Sequence, residues 1–203
     1  MNRYRFRNMD QYKRKKCICI FKKQNLAEQA AWNFIKDQTE NTKMELAVVN
    51  PGPVFGPSLS GDLSGTSMSM FTQMVQGKMP MVPQASINMS DVRDIAKIHV
   101  LALENKEASG KRFIVTTEKP YAFQDVAKIL KSNGYDKVST KLAPNFLLKL
   151  MSNFNREAKS MKSFIGNTYN GDISSTMKTF DWKPIDFEKT VLDTAKSIET
   201  YLN

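Results

Sequence analysis

The chain has 203 residues, 41% of them hydrophobic and 25% charged, a balance that suits one globular domain and excludes a disordered tail, a collagen-like fibre or a multidomain assembly. The uncharged stretch 50–60 is broken by Pro51, Pro53, Pro57 and two glycines, and no segment supplies the roughly 20 apolar residues that a bilayer span needs. The net charge of +10 is concentrated at one end: residues 1–25 hold nine Lys/Arg against Asp10 alone, leaving 21 basic and 19 acidic residues in the remainder. A nucleic-acid reading therefore concerns only a basic leader, 1–25, and the body 26–203 is nearly neutral.

Both cysteines, Cys17 and Cys19, lie in that leader. Two cysteines one residue apart do not readily bridge each other, and no Cys/His cluster supplies a zinc site, so they read as ordinary reduced thiols. The leader also lacks the apolar core and small-residue cleavage site of a secretory signal, and the expected location is cytoplasmic, with no membrane association.

From Leu26 the pattern becomes orderly. Leu26, Ala27, Ala30, Ala31, Phe34 and Ile35 recur at helical spacing and predict a helix fading near 38–41. Glu45–Val49 reads as a short buried parallel strand that stops at Asn50–Pro51. The Gly/Pro/Ser-rich stretch 51–65 is expected to be a long loop at the carboxyl end of that strand, the edge where open α/β sheets bind ligands. Met68, Phe71, Met74 and Val75 form the apolar face of a helix ended by Gly77, with the methionines read as core rather than as a binding surface.

Ser90 or Asp91 caps the next expected helix, whose stripe is Val92, Ile95, Ala96, His99, Ala102 and Leu103. His99, the single histidine, reads as a packed, hydrogen-bonded residue ahead of a catalyst or ligand. Arg112–Thr116 predicts a second buried strand, and Phe123–Lys131 a helix closed near Gly134. Further on, the pattern gives a possible short strand at Val138, an apolar helix over 144–151, a polar region over 153–175 and a final amphipathic helix over 186–202 carrying Phe187, Val191, Leu192, Ala195, Ile198 and Leu202. Alternating helices and strands in this order argue for α/β architecture.

Few catalytic constellations survive a search. There is no Gly-x-Ser-x-Gly elbow and no phosphate loop, and Gly52, Gly56, Gly61 and Gly65 do not fit the Gly-x-Gly-x-x-Gly turn of dinucleotide-binding folds. Asp91 and Asp94 stand close together at a helix start; acid/base work is one reading, partnership with the helix dipole the other and the more common. No metal site is expected.

Four segments carry more information. Leu26–Trp32, the turn Asn50-Pro51-Gly52-Pro53-Val54-Phe55-Gly56-Pro57, the segment Ile87–Leu103 and the closing Asp181-Trp182-Lys183-Pro184 resemble extended short-chain dehydrogenase/reductases, in the dihydroflavonol reductase and aldehyde reductase branch. The resemblance covers residues 26–203. It implies the C-terminal part of a Rossmann-type parallel sheet with a small mixed substrate domain, and hydride transfer between NAD or NADP and a small carbonyl or alcohol. It maps contact with the nicotinamide end of the cofactor onto Asn50 and Pro51, and a further cofactor contact onto Thr66 or Ser67. Pro51 also has a simpler reading, since a proline after a strand ends pairing.

Two departures set the chain apart from the family pattern. The Gly-rich cofactor loop and first strands of such proteins lie more than a hundred residues before the Ala-Glu pair, and here only 26 residues precede Ala27, so the nucleotide-binding half is missing from this sequence. The family motif Tyr-x-Lys-Ser-Lys-x-x-Ala-Glu, in which the lysine lowers the tyrosine pKa for proton transfer, places its tyrosine at Ile20 and its lysine at Gln24. Neither side chain can do that chemistry, so no catalytic residue is expected in this chain. Tyr12 and Lys16 have the four-residue spacing but lie too far from Glu28.

Ile20–Asn25 can be written ATA TTT AAA AAG CAA AAC, which one base later reads Tyr-Leu-Lys-Ser-Lys. The leader is accordingly expected to be out-of-frame sequence without a fold of its own, and the chain inactive. Two other readings compete: a non-enzymatic interaction module that self-associates through a sheet edge left unpaired, and a basic leader whose Tyr4, Phe6, Tyr12 and Phe21 interleave with charge to bind nucleic acid. The sequence does not choose between NAD and NADP. By position, 58–65 and 145–154 are expected to line a substrate pocket.

Overall fold

The computed structural model describes residues 19–39, 44–146, 168 and 170–202. The expectations for Tyr4, Phe6, Tyr12, Lys16 and Cys17, and for most of 144–175, lie outside the described residues. The chain divides into two units, Met1–Glu45 and Leu46–Asn203.

The first unit contains α1, Cys19–Lys36. The helix expected from Leu26 thus runs back through residues 19–25, since Lys22, Lys23 and Gln24 are good helix formers and adding a residue to an existing helix costs little. No described α1 side chain is buried, and Leu26 and Phe34, two turns apart on one face, are exposed. Trp32 Nε1 donates to Glu28 Oε1 at 3.1 Å across one turn. Beyond the helix, Gln38 receives a hydrogen bond from the Met44 N–H and donates to its carbonyl.

The second unit is built from three two-stranded sheets and five helices among the described residues. β1 (Val48–Pro51) pairs in parallel with β5 (Arg112–Val115), Val48 opposite Arg112 and Pro51 opposite Val115. β2 (Val54–Phe55) pairs in parallel with β4 (Ser90–Asp91), and β3 (Ser86–Ile87) runs antiparallel to β6 (Tyr121–Ala122). The helices are α2 (Thr66–Val75), α3 (Val92–Glu104), α4 (Phe123–Ser132), α5 (Ser174–Phe180) and α6 (Phe187–Leu202).

Parallel pairing joined by crossover helices agrees with the α/β architecture expected from the alternation of elements and with the Rossmann-type sheet that the resemblance implies, and the antiparallel β3–β6 pair supplies the mixed region. The strand expected at 45–49 is shifted to 48–51, because the Val48 N–H donates to the Lys111 carbonyl and sets the register. By alternation Val49 and Pro51 turn their backbone nitrogens away from β5, so a proline without an N–H is tolerated there. The loop 51–65 is interrupted by β2, which two residues alone could not announce. Val138 forms no strand; its side chain is buried in a loop.

One core joins α2, α4 and α6 through Phe71, Met74, Val126, Leu130, Val191 and Ile198. Its methionines, Met74 included, are core residues as expected. A second core sets Ile98 of α3 and Val115 of β5 against Ile173 and Trp182. The stripe expected on α3 is corrected in part: Ile95 packs half-buried on the second core as expected, but Asp94 and Ile98 are the buried positions, and Val92, Ala96, His99 and Leu103 are exposed. His99 is therefore not packed in a core; its Nδ1 lies 2.8 Å from the Ile95 carbonyl, one turn back on the same helix. No helix among the described residues is long and apolar enough to cross a membrane.

Candidate functional site

The turn after β1 is held by atoms rather than by loop plasticity. The Gly52 N–H donates to Ser90 Oγ at 2.8 Å, and that hydroxyl donates to the Val115 carbonyl at 2.6 Å, tying the turn to both β4 and β5. Asn88 extends the brace: Nδ2 donates to the Thr117 carbonyl at 2.7 Å, and Oδ1 accepts from the Gly171 N–H at 3.0 Å. A Cβ on Gly52 would sit 2.5 Å from the Asn88 carbonyl oxygen, so only glycine fits this approach. Gly56 adopts φ +114° and its N–H donates to Thr194 Oγ1 at 2.7 Å, anchoring the far side of the turn to α6.

Asn50 sits at the end of β1 on this rigid platform, and its Nδ2 is buried without a hydrogen-bond partner among the described residues. Pro51 follows it in register with Val115. Thr66 and Ser67 open α2, Thr66 exposed and Ser67 half-buried. No described hydrogen bond joins either of them to Asn50 or Pro51. Ile20 and Gln24 fall one turn apart on α1, so the helical spacing the reductase motif requires is present while the phenol and the ammonium are not.

Asp91 and Asp94 are engaged structurally. Asp91 caps α3, accepting the Arg93 N–H at 2.8 Å, and carries a bidentate Arg93 guanidinium and the Thr190 hydroxyl. Burial pushes its carboxyl up, but the Arg93 hydrogen bonds, the Thr190 hydroxyl and the Arg93 charge outweigh that and hold it below the ordinary range. Arg93 also reaches Asp193 at 2.6 Å, which Lys189 contacts at 3.0 Å.

Asp94 accepts Trp182 Nε1–H at 2.9 Å on one oxygen and the Ile185 N–H at 2.8 Å on the other. Burial is the largest influence on it and lifts its carboxyl above the ordinary range, with the nearby Asp91 charge adding to the lift. Asp181 closes α5 at φ 44°, a left-handed conformation that aspartate tolerates, and so turns Trp182 inward toward Asp94. Two of the four sequence segments, Ile87–Leu103 and Asp181–Pro184, are thus one interlocking clasp.

Two functional-looking positions escaped the sequence reading, Asn88 and the Gly52–Ser90 link. Their only signal was membership of the matched segments, because a hydrogen bond across 38 residues leaves no local pattern. A separate surface depression is lined by Glu118, Gly171, Asp172, Ile173, Ser174 and Met177, among others, and includes none of the four expected cofactor residues. No group of three or more His, Cys, Asp or Glu able to hold a metal ion occurs among the described residues.

A parallel β1–β5 pair crossed by α3, with a braced Asn-Pro turn at its carboxyl end, defines a Rossmann-type nucleotide-fold fragment. No family model matches the chain. It is 35% identical over 112 residues to the NADPH-dependent methylglyoxal reductase GRE2 of Saccharomyces cerevisiae, covering 53% of this chain and 32% of that protein. It is also 35% identical over 106 residues to the cinnamoyl-CoA reductase CAD2 of Medicago truncatula, covering 52% and 30%. The crystal structure of yeast methylglyoxal/isovaleraldehyde reductase Gre2 complexed with NADPH superimposes with a TM-score of 0.61 at 25% identity, over 87% of this chain and 53% of that one.

The chain's relatives are therefore extended short-chain dehydrogenase/reductases of the NAD-dependent epimerase/dehydratase group, and the similarity runs over part of their length. It spans about a third of the length of the two curated relatives and about half of the solved reductase.

Proposed function

We propose that this chain is the substrate-side half of a NAD(P)-dependent reductase acting on a small carbonyl or alcohol. The observation that carries the reading is the Asn50 amide: a buried N–H donor without a partner among the described residues, beside a turn braced through Gly52, Ser90 and Asn88, marks a place shaped for an external acceptor. A nicotinamide ring with its carboxamide fits that demand, and when bound it would supply or accept the hydride. Asn50 would donate to it, Pro51 would pack beside it, and Thr66 or Ser67 would provide a second polar contact. The names of the relatives support the substrate class and favour NADPH.

By itself the chain is expected to be inactive, since Ile20 and Gln24 offer neither the proton donor nor the cation that tunes it. The test is a covalent fusion of the N-terminal part of yeast Gre2, the part this reading assigns to the cofactor, to residues 26–203. NADPH binding by the fusion, read from the change in nicotinamide fluorescence, supports the reading, and a well-folded fusion that leaves NADPH fluorescence unchanged overturns it. NADPH oxidation by the unfused chain with methylglyoxal, above a heat-killed control, would overturn the expectation of inactivity.

A further inference from the structure

Two Asn-Gly dipeptides occur in the unit 46–203, Asn133-Gly134 and Asn170-Gly171. In this dipeptide the glycine nitrogen can attack the asparagine side-chain carbonyl carbon, and no Cβ on the second residue blocks the approach. Attack needs a peptide that can turn and a nitrogen whose N–H is not already committed. The fold treats the two pairs in opposite ways.

At Gly171 the nitrogen is committed. Its N–H donates to Asn88 Oδ1 at 3.0 Å, and buried Asn88 is itself fixed by the 2.7 Å bond from its Nδ2 to the Thr117 carbonyl. Gly171 is also wedged against β5, since a Cβ there would meet Ile114 Cγ2 at 3.2 Å and Thr116 Oγ1 at 3.6 Å. Its peptide turns only if the link to Asn88 breaks.

Asn133-Gly134 follows α4, with both residues exposed. The Asn133 and Tyr135 N–H groups both donate to the Leu130 carbonyl, at 3.0 and 3.1 Å, and no described hydrogen bond uses the Gly134 N–H between them. Gly134 stands at φ +90°, and a Cβ on it would meet nothing within 4 Å, so the space for a ring is open. The Asn133 side chain is held by one surface bond, from Nδ2 to the Ile129 carbonyl at 2.9 Å. These contacts belong to the last turn of a helix, which frays at little cost. Once frayed, Asn133 leaves ψ 28° and its Cγ comes within reach of the Gly134 nitrogen.

We propose that Asn133 is a site of spontaneous deamidation and that Asn88 shields Asn170 from the same reaction. The Gly134 nitrogen gives its proton to solvent base and bonds to Asn133 Cγ, the Cγ–Nδ2 bond breaks, and the side-chain nitrogen leaves as ammonia. Water then adds to either carbonyl of the resulting succinimide and opens it to aspartate or isoaspartate. Both products place a carboxylate at the C-terminal end of α4, against the negative pole of the helix. Isoaspartate also lengthens the main chain by a methylene carbon.

The test is to age the purified full chain in mildly alkaline buffer beside a sample unfolded in guanidinium chloride. The tryptic peptides 132–137 and 163–178 are followed by mass spectrometry, with fragmentation locating the modified residue. Deamidation adds one mass unit and splits a peptide into two chromatographic forms of equal mass. Dividing each folded rate by its unfolded rate removes the influence of neighbouring residues. The quotient for Asn133 should exceed that for Asn170 by about tenfold, the scale of one committed hydrogen bond. Asn88→Ala should raise the Asn170 quotient toward that of Asn133 and leave Asn133 unchanged. An Asn133 that stays intact in the folded chain while reacting in the unfolded one overturns the inference, as does an Asn170 quotient equal to or above that of Asn133. An Asn170 quotient indifferent to Asn88→Ala removes Asn88 as the shield. If the variant loosens the whole fold and both quotients rise, the wild-type comparison decides.

Discussion

The clasp between α3 and the segment 181–186 and the turn after β1 both come from segments whose sequence resembles the reductase pattern, yet they are finished to different degrees. In the clasp every carboxylate oxygen of Asp94 is taken, by Trp182 Nε1–H and the Ile185 N–H, and Asp91 is held by Arg93 and Thr190. At the turn the backbone is equally well tied, through Gly52, Ser90 and Asn88, but the side chain it presents is not. A shared motif residue whose hydrogen bonds close within the chain is explained by stability; one left open points outward, to something the described residues do not contain.

The sharpest way to break this contrast is to open the clasp. Asp94→Leu strands the Trp182 and Ile185 N–H groups in the core, and each orphaned donor costs about 1–3 kcal/mol, so a loss of about 4 kcal/mol in urea-unfolding free energy is expected. Asp94→Asn should cost less and should change the pH profile. Because burial raises the Asp94 pKa in the folded state, the group favours folding most below the ordinary carboxylate range, and that advantage is lost as pH rises through the folded value. Asp91, lowered by Arg93 and Thr190, has the opposite sign: its contribution is present above the ordinary range and is lost as pH falls. Removing Asp94 alone should therefore leave acid titration dominated by the Asp91 behaviour.

Next in size is Gly52→Ala. A Cβ 2.5 Å from the Asn88 carbonyl oxygen forces the turn and the 86–91 segment apart, at about 1–3 kcal/mol for overpacking. The loss should appear as faster hydrogen exchange at the Gly52 and Thr117 amides before it appears globally. If Gly52→Ala melts at the wild-type temperature, the turn is not the braced platform described above.

A smaller effect tests the far end of α6. Tyr135 donates to Glu199 Oε2 at 3.1 Å, and burial, with the Glu199 contact adding to it, pushes the phenol up to about 12. The folded state then holds a proton that the unfolded state releases near 10, so the contribution of Tyr135 is complete below pH 10 and is lost as pH rises through about 12. Tyr135→Phe should lower stability by about 0.5–1.5 kcal/mol at neutral pH, and the gap between the two proteins should close across that window. A constant gap would mean that the hydroxyl does not act through its proton.

The same contrast explains what the sequence disclosed. Periodic elements were legible because burial repeats along the chain: α4 and β5 appear within a residue of where Phe123–Lys131 and Arg112–Thr116 predict them. Two-residue strands such as β2 and β3 were not, since their pairing partners lie about 35 residues away. On α3 the stripe was read partly right: Ile95 packs against the second core with Ile98, while Val92, Ala96 and Leu103, which satisfy the helical pattern equally well, face out, and only packing separates them. The site was legible as residue types, through Asn50 and Pro51, and illegible as geometry, since the brace from Asn88 and Ser90 exists only after folding.

The smallest expected effect is the one that decides between the two halves of the comparison. A buried amide donor without a partner costs its desolvation and gives nothing back, so Asn50→Ala trades lost packing against a relieved penalty and should shift the unfolding free energy of this chain by no more than about 0.5 kcal/mol. In the covalent fusion the same substitution should weaken NADPH binding by about tenfold, as the loss of one hydrogen bond to a ligand predicts. A residue that costs nothing in the chain alone and tenfold in the fusion is held for the ligand. Should Asn50→Ala instead cost as much as Asp94→Leu in the unfused chain, the amide has a structural partner after all and the open end of the turn closes on itself.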